Sequence, residues 1–235
     1  LGKDLFLVNR EKGRIWGYAD EFVSSPKLDD LQCAFAALKG FLASENEETV
    51  SLYACFDNEE VGSNTEQGAM STFLKTVTER INSALGYNRD DYYQAVAKSF
   101  MVSCDNAHAV HPNHVEKTDT VNCSYMNKGI VIKENASQRY TTDAFSRAVF
   151  TKICKDAGVP VQFFANRSDM PGGSTLGNLS NIQVSVHAVD IGLPQLAMHS
   201  SYETAGVEDT GWAIEGIKAY YSSHFVIEDE MNIRK

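Results

Sequence analysis

Apolar segments with the alternation typical of β-strands are separated along this chain by longer segments whose apolar residues recur at helical spacing. The segments that predict strands span residues 6–8, 14–17, 50–56, 98–104, 130–132, 160–164 and 183–189. Those that predict helices span residues 31–42, 67–85, 143–157 and 204–225. Because helices that connect strands return the chain to the same end of a sheet, this order predicts an α/β fold. We expect a mixed, largely parallel sheet with helices on both faces.

The composition is that of one globular domain. At 235 residues the chain is long enough to bury a large core, and it contains no internal repeat or low-complexity linker. We therefore predict a single domain over residues 1–235. The formal net charge of -10, without any basic run, argues against a general nucleic-acid partner. The apolar runs are too short to span a bilayer, so we expect no membrane partner.

The five cysteines are widely spaced, and no two of them form a C-x-x-C motif. Several lie within apolar segments, which predicts buried, reduced thiols. Because disulfide bonds are rare in the cytoplasm and common in secreted proteins, we expect a cytoplasmic location.

Two adjacent glutamates, Glu59 and Glu60, follow the predicted strand at residues 50–56. Successive side chains leave an extended chain in opposite directions, so the two carboxylates can occupy different environments. One can bind a metal ion while the other faces a water molecule on that metal, which is how a metallohydrolase uses two carboxylates. A solvated acidic turn is the alternative for such a pair, and residues elsewhere must decide between the two.

Other candidate ligands are scattered over three further segments, residues 27–31, 103–108 and 196–200. Carboxylates combined with imidazoles suit zinc, manganese or cobalt, and a pair of metal ions needs a bridging carboxylate. Asp105 and the glutamate pair each follow a predicted strand, at the end of the sheet where ligands gather in α/β proteins. The spacing by itself indicates only a loose cluster.

Six sequence runs are far more specific than the residue types. In chain order they are DNEEVGS (57–63), DNAHAVHPN (105–113), NKGIVIK (127–133), QRY (138–140), DMPGGST (169–175) and DIGLPQLAMHS (190–200). Together these runs closely resemble the aspartyl aminopeptidase family of zinc peptidases, in that family's order and over nearly the whole chain. The resemblance implies a zinc-peptidase-like catalytic domain.

The resemblance also implies an activity, that of a metal-dependent aminopeptidase that removes N-terminal residues from peptides. Asp29 matches the carboxylate that bridges the two metal ions, and Asp105 matches a ligand of one of them. Glu60 and His199 match ligands of the other ion. Glu59 matches the general base that takes a proton from water to give a metal-bridging hydroxide. The implied cofactor is zinc, two ions per complete site, with cobalt or manganese as alternatives.

Three further residues match family positions that contact the substrate near the metals: His108, Lys133 and Tyr140. The ammonium group of Lys133 could bind an acidic side chain, which favours peptides with an acidic N-terminal residue. His108 and Tyr140 can donate hydrogen bonds to the oxyanion that develops during peptide cleavage.

The chain departs from the family pattern in two ways. Family members are longer and begin with a histidine-bearing segment that supplies another metal ligand, whereas the first histidine here is His108. The inserted dimerisation domain of the family is also missing. We therefore expect the C-terminal part of a catalytic domain that is weakly active or inactive alone. Its expected partners are an N-terminal fragment of the same enzyme and further copies of itself in a homo-oligomer.

Two other functions stay open at this point. A truncated peptidase fold can keep its oligomer surfaces while losing its chemistry, so the chain could be a non-catalytic assembly or scaffold subunit of a peptidase complex. The same metal chemistry would also serve a hydrolase of acylated amines.

Individual residues have non-catalytic interpretations as well. Asp29 precedes a predicted helix and could be an N-cap, while His199 could be a hydrogen-bonded core histidine. Lys133 could be a solvated lysine on an edge strand. The histidine-rich segment 108–114 could form a separate metal cluster, although its proline disrupts a regular helix.

Overall fold

The computed structural model describes residues 2–227 and 231–234. The strands are β1 (Arg14–Trp16), β2 (Phe22–Ser25), β3 (Phe100–Cys104), β4 (Ala107–His108), β5 (Ile130–Glu134), β6 (Val161–Ala165), β7 (His187–Gly192), β8 (Pro194–Leu196), β9 (Glu203–Gly206), β10 (His224–Ile227) and β11 (Met231–Arg234). The helices are α1 (Leu31–Ala43), α2 (Phe73–Ala84), α3 (Arg89–Ala97), α4 (Ala144–Asp156), α5 (Leu176–Gln183) and α6 (Val207–Tyr221), with 3-10 turns at Glu59–Val61 and Val115–Lys117.

A four-stranded sheet in the order β3-β7-β5-β6 carries the main core. β3 pairs with β7 and β5 pairs with β6 in parallel, while β5 and β7 are antiparallel. The predicted mixed, largely parallel sheet is confirmed for these strands. One face carries the buried side chains of Ile130, Ile132, Val189 and Ile191, which pack with residues of α1, α4 and α6.

The opposite face of the same sheet buries polar groups beside a small apolar cluster that includes Val131 and Phe164, and we call it the polar face. Ser103 lies beside Asp190 in the β3–β7 register, and Lys133 follows Ile132, which is paired with Ile191. Helix α5 contacts β3 and β7 on this side, so helices cover both faces, as predicted. Gly177 of α5 makes this approach possible, because a Cβ atom there would lie within 3 Å of the Asp190 carboxylate.

A second sheet in the order β1-β2-β9-β8-β4 was not predicted. It is largely antiparallel, and only β4 and β8 run in parallel. β9 lies between β2 and β8, with Ser25 paired to Glu203 and Leu196 paired to Thr204. The carboxyl ends of β2 and β8 therefore both lie beside Glu203, the first residue of β9.

The prediction of a strand at residues 50–56 is wrong for the described part of the chain. This segment pairs with none of the described strands. Its contacts come from side chains instead: the Tyr53 hydroxyl donates to the carbonyl of Ala34, and the Tyr221 hydroxyl donates to the carbonyl of Leu52. An alternating sequence becomes a strand only where another strand supplies backbone partners, and the described residues supply none here.

Other boundaries differ from the predictions because short elements interrupt the longer ones. Residues 6–8 form no strand, and α2 begins at Phe73 rather than at residue 67. Helix α5 was not predicted, and because it extends to Gln183, the strand predicted from residue 183 begins at His187. Residues 203–206 belong to β9, and the predicted helix at 204–225 spans only 207–221. Helices α1 and α4 are confirmed within one residue of each predicted end.

Helix α1 turns its small residues, not its large apolar ones, toward the core. Cys33, Ala36 and Gly40 are buried, and a Cβ atom on Gly40 would lie 2.7 Å from the side chain of Ile217 in α6. The large apolar residues that predict the helix form an outer stripe that is between 38% and 69% exposed: Leu31, Phe35, Leu38 and Leu42. Close packing against α6 thus requires the small side of α1, and the stripe is left on the surface.

None of the helices in the described ranges has both the length and the apolar character needed to cross a membrane. All five cysteines are free thiols. Cys33 and Cys154 are buried as predicted, whereas Cys55 is exposed.

Candidate active site

One cavity of about 400 Å³ lies between the polar face of the four-stranded sheet and the loops that follow strands of the second sheet. All eight residues that the sequence singled out line it: Asp29, Glu59, Glu60, Asp105, His108, Lys133, Tyr140 and His199. They come from six different segments, so the fold brings together residues up to 170 positions apart in sequence, from Asp29 to His199. The loop at 173–175, the end of the DMPGGST run, also lines the cavity.

Asp29, Glu60 and His199 converge on one point of this cavity. The Nε2 atom of His199 lies 3.3 Å from Oδ2 of Asp29 and 3.0 Å from Oε2 of Glu60. One potential ligand atom from each of the three residues lies within 4.8 Å of the other two. Two carboxylates and one imidazole are a ligand set that zinc accepts in proteins.

Each of these three side chains is presented by a loop or turn that follows the end of a strand or extended segment. Asp29 lies between β2 and α1, and His199 lies after β8. Glu60 sits in the 3-10 turn that follows Asn58, whose φ of 60° is a left-handed conformation that asparagine tolerates. The two loops after β2 and β8 are neighbours because both strands flank β9.

Asp105 lies beside this group and is held by Lys133. The ammonium nitrogen of Lys133 lies 3.6 Å from the Asp105 carboxylate and donates hydrogen bonds to the backbone carbonyls of Asp105 and Asn106. Lys133 is only 2% exposed, so its charge acts in a largely water-free environment. Burial would lower the pKa of Lys133, but Asp105, Tyr140 and Asp190 raise it above its usual value, so the side chain is a cation at neutral pH.

Comparison with known proteins shows which family this chain belongs to. The profile described as "Aminopeptidase I zinc metalloprotease (M18)" matches residues 1–221. The chain belongs to this M18 family. It is 50% identical over 219 residues to a probable M18 family aminopeptidase 2 of Clostridium novyi, covering 93% of this chain and 51% of that protein. It is 38% identical over 236 residues to aspartyl aminopeptidase 1 of Schizosaccharomyces pombe, covering 98% and 50%.

Solved M18 structures share the fold. The chain superposes on the structure of the S. cerevisiae mApe1 dodecamer with a TM-score of 0.79 and 28% identity, covering 91% of this chain and 49% of that one. The chain thus spans about half the length of the relatives that it matches. The α/β fold class and the family resemblance are both confirmed by these comparisons.

The non-catalytic interpretations of single residues do not fit this M18 chain. The N-cap of α1 is Asp30, not Asp29. The His199 side chain is 66% exposed in the cavity, which excludes a core histidine, and Lys133 is buried on a strand with neighbours on both sides. The rings of His111 and His114 lie 5.1 Å apart on an exposed segment, but among the described residues only the group at Asp29 has the spacing of metal ligands.

The electrostatics of the site fit a dication. Burial, then the charges of Asp105 and Glu60, raise the pKa of Asp29 to about 9. Burial and the same kind of crowding raise the pKa of Glu59 to about 7 and that of Asp30 to about 6. The Oδ1 atom of Asp29 is buried without a hydrogen-bond partner among the described residues. Crowded carboxylates with an unused oxygen are a site that a bound cation would stabilise.

Two further cavity residues, His108 and Tyr140, stay neutral at pH 7. Desolvation inside the cavity and the nearby charge of Lys133 lower the pKa of His108, so its imidazole is uncharged. Burial raises the pKa of Tyr140, whose ring lies 5.3 Å from the ammonium nitrogen of Lys133. Both side chains can therefore donate a hydrogen bond at neutral pH.

Two acidic residues of the site were missed at the sequence level. Asp30 adds to the negative charge around Glu59, and Glu203 accepts hydrogen bonds from the backbone of Asp29 and His199. Asp30 adjoins Asp29 and could have been found from that pair. Glu203 stands at the start of a short strand that the sequence did not predict, so its role depends on a sheet order that no local pattern shows.

Proposed function

We propose that this chain is the metal-binding, catalytic part of an aminopeptidase that removes N-terminal residues from peptides. The observation that carries the proposal is the convergence of Asp29, Glu60 and His199 on one wall of a cavity that Glu59 also lines. Membership of a zinc metalloprotease family supports zinc as the ion.

Asp29, Glu60 and His199 would hold one zinc ion, and Asp105 with Asp29 would belong to a second. Bound zinc acts as a Lewis acid that polarises a carbonyl group and acidifies water. The chain contributes the negative charge that attracts the ions and a cavity large enough for the end of a peptide. Cobalt and manganese accept the same mixture of carboxylate and imidazole ligands.

Glu59 is the proposed general base. Its carboxylate lines the cavity without belonging to the group of three ligands, and its pKa of about 7 allows it to take up and release a proton near neutral pH. We propose that it takes a proton from the attacking water and gives it to the departing amine.

His108 and Tyr140 are the proposed donors to the carbonyl oxygen of the scissile bond, since both keep their protons at neutral pH. Lys133 is the proposed source of a preference for acidic N-terminal residues. Its cation lines the cavity, although its ammonium already contacts Asp105 and Asn106. The name of the Schizosaccharomyces pombe relative, aspartyl aminopeptidase 1, agrees with such a preference.

We further propose that another polypeptide segment completes the second metal site and that the protein works in the cytoplasm as a homo-oligomer. The chain spans about half of its relatives, and its Asp105 lies outside the only ligand group found among the described residues. The dodecamer reported for the yeast relative supports a homo-oligomer, and the five free thiols suit the cytoplasm.

The decisive experiment combines metal analysis with a substrate panel. The chain is loaded with zinc and assayed on aspartyl, glutamyl and leucyl anilides and on N-acyl amino acids, with and without the N-terminal half of a relative. We expect bound zinc, and hydrolysis of the aminoacyl anilides that increases when the other half is added.

Glu59→Gln should keep the zinc and lose hydrolysis by about 10²-fold or more, as expected for a general base. Glu66→Gln, the same substitution at an exposed position outside the cavity, should change neither. Absence of both zinc and hydrolysis under all conditions would instead favour the non-catalytic assembly subunit. Cleavage of the N-acyl substrates alone would favour a hydrolase of acylated amines.

A further inference from the structure

Glu203 lies where a single side chain reaches both the loop of Asp29 and the loop of His199. It is the first residue of β9, the strand between β2 and β8. Both neighbours are antiparallel to β9, so their carboxyl ends lie beside its amino end. The chain continues from β2 to Asp29 and from β8 to His199. A side chain at the start of β9 therefore lies between the two loops.

The Glu203 carboxylate uses this position to bind both loops at once. Its Oε2 atom accepts a hydrogen bond of 2.9 Å from the backbone N–H of Asp29. Its Oε1 atom accepts a hydrogen bond of 2.8 Å from the backbone N–H of His199. Glu203 is 2% exposed, so water does not compete for these bonds. Hydrogen bonds to a charged acceptor are stronger than those between neutral groups.

The backbone at His199 needs such support. Its φ of 65° lies in the left-handed region, which is unfavourable for a residue with a side chain. Ala197, two residues earlier, has a φ of 58°. Strained conformations of this kind persist where surrounding contacts over-determine them, and the bond from His199 to Glu203 is one such contact.

We propose that Glu203 is a positioning residue that sets the separation of Asp29 and His199 and thereby the affinity of the site for zinc. This inference rests on the metal site proposed above. Glu203 acts on the ligands through their backbone and is not a member of the ligand group formed by Asp29, Glu60 and His199. Outer partners of metal ligands commonly change metal affinity by about 10- to 100-fold when they are removed.

Asp209 provides a matched control elsewhere in the fold. It is also fully buried, and its two carboxylate oxygens also accept hydrogen bonds from two backbone N–H groups, those of Asn127 and Gly129. It does not line the cavity. Asp209→Asn therefore tests what the loss of a buried, loop-binding carboxylate does to folding alone.

Three variants of Glu203 separate geometry from charge. Glu203→Ala removes both hydrogen bonds, and Glu203→Gln keeps the length but leaves one N–H facing an amide group. Glu203→Asp keeps the negative charge but is too short to reach both loops. The measurements on the 235-residue chain are the zinc Kd by competition with a chelating dye, the visible spectrum of the cobalt form and the melting temperature.

We expect Glu203→Ala to weaken zinc binding by about 10- to 100-fold, and Glu203→Gln and Glu203→Asp to weaken it by at least about threefold, with an altered cobalt spectrum. Asp209→Asn should lower the melting temperature and leave the zinc Kd and cobalt spectrum unchanged. A wild-type Kd and spectrum in Glu203→Asp would overturn the proposal, since charge alone would then suffice.

Equal loss of zinc affinity in Asp209→Asn would also overturn it. So would failure of all three Glu203 variants to fold while Asp209→Asn folds, because Glu203 would then serve the fold rather than the site. If the wild-type chain binds no zinc, the proposed metal site itself fails, which is a different result from a wild-type chain that binds zinc as tightly as its Glu203 variants.

Discussion

The two faces of the four-stranded sheet both bury side chains but depend on different physics. On one face, Ile132 and Ile191 pack with three helices through contacts that are individually weak and have no preferred partner. On the other face, Lys133 and Asp190 are buried charged groups, and each needs specific partners. Asp190 accepts hydrogen bonds from the side chains of Thr141 and Thr175 and thereby joins two cavity segments. The comparison teaches that the apolar face stabilises the fold through many weak contacts, whereas the polar face depends on a few specific partners that also fix the geometry of the site.

The strongest test of this contrast removes the buried cation. Lys133→Met leaves Asp105 with an uncompensated negative charge, so we expect a loss of about 3–5 kcal/mol of unfolding free energy, measured with urea. Zinc should restore part of this loss, because a bound cation replaces the missing charge.

The matched control for that change is Lys152→Met. Lys152 pairs with Asp156 on the surface at 2.6 Å, and an exposed pair of this kind contributes less than about 1 kcal/mol. Similar losses in the two variants, or no recovery of Lys133→Met with zinc, would contradict the distinction between the faces.

The pH dependence of the metal-free chain gives a second test. The folded pKa of Asp29, about 9, lies above its ordinary value of 3.8. Protonation therefore stabilises the folded state, and this stability is present at low pH and lost as the pH rises through about 9. Zinc displaces the same proton, so zinc affinity should rise with pH by up to about tenfold per unit for each proton released.

Chemical unfolding with a chelator present, repeated with zinc, measures both effects between pH 5 and pH 9. The zinc-loaded chain is the control, since its carboxylates are already deprotonated. A metal-free stability that stays constant or increases over this range would show that the carboxylates are not crowded as described.

The residues of the site were largely predictable, whereas their support was not. Sequence runs with family-specific order pointed to His199 and most other cavity residues, the resemblance that they carry pointed to Asp29, and the fold places all eight at one cavity. Helices α1 and α4 were predictable because their apolar residues follow a clear helical period. Glu203 was not, because its function depends on the order of three short strands that only the folded chain reveals.

The wrong predictions have a common physical cause. Residues 50–56 alternate as a strand does, yet the described chain offers them no backbone partner. The apolar stripe of α1 predicts the helix correctly, but the side that packs is decided by the close approach at Gly40. Local periodicity indicates which element forms, and the rest of the fold decides what that element contacts.

A smaller effect sharpens the account of the apolar face. Ile132→Val removes one methylene group from the buried cluster, so we expect a loss of about 0.5–1.5 kcal/mol in urea unfolding. Because Ile132 points away from the polar face, the zinc Kd of the folded chain should not change. Ile182→Val, at an exposed position, is the matched control and should cost less than about 0.5 kcal/mol. A changed zinc Kd in Ile132→Val would show that the two faces are coupled.

The smallest expected effect concerns the exposed apolar stripe of α1, which lies outside the packed core. Leu42 is 69% exposed at the end of the α1 stripe, so Leu42→Gln should change the unfolding free energy of the isolated chain by less than about 0.5 kcal/mol. Gly40→Ala, two residues away on the buried side, should cost about 1–3 kcal/mol because its Cβ atom meets Ile217. A large loss in Leu42→Gln that grows with protein concentration in urea unfolding would show that the stripe packs against another copy. The same loss at all concentrations would place the stripe inside the core of the single chain.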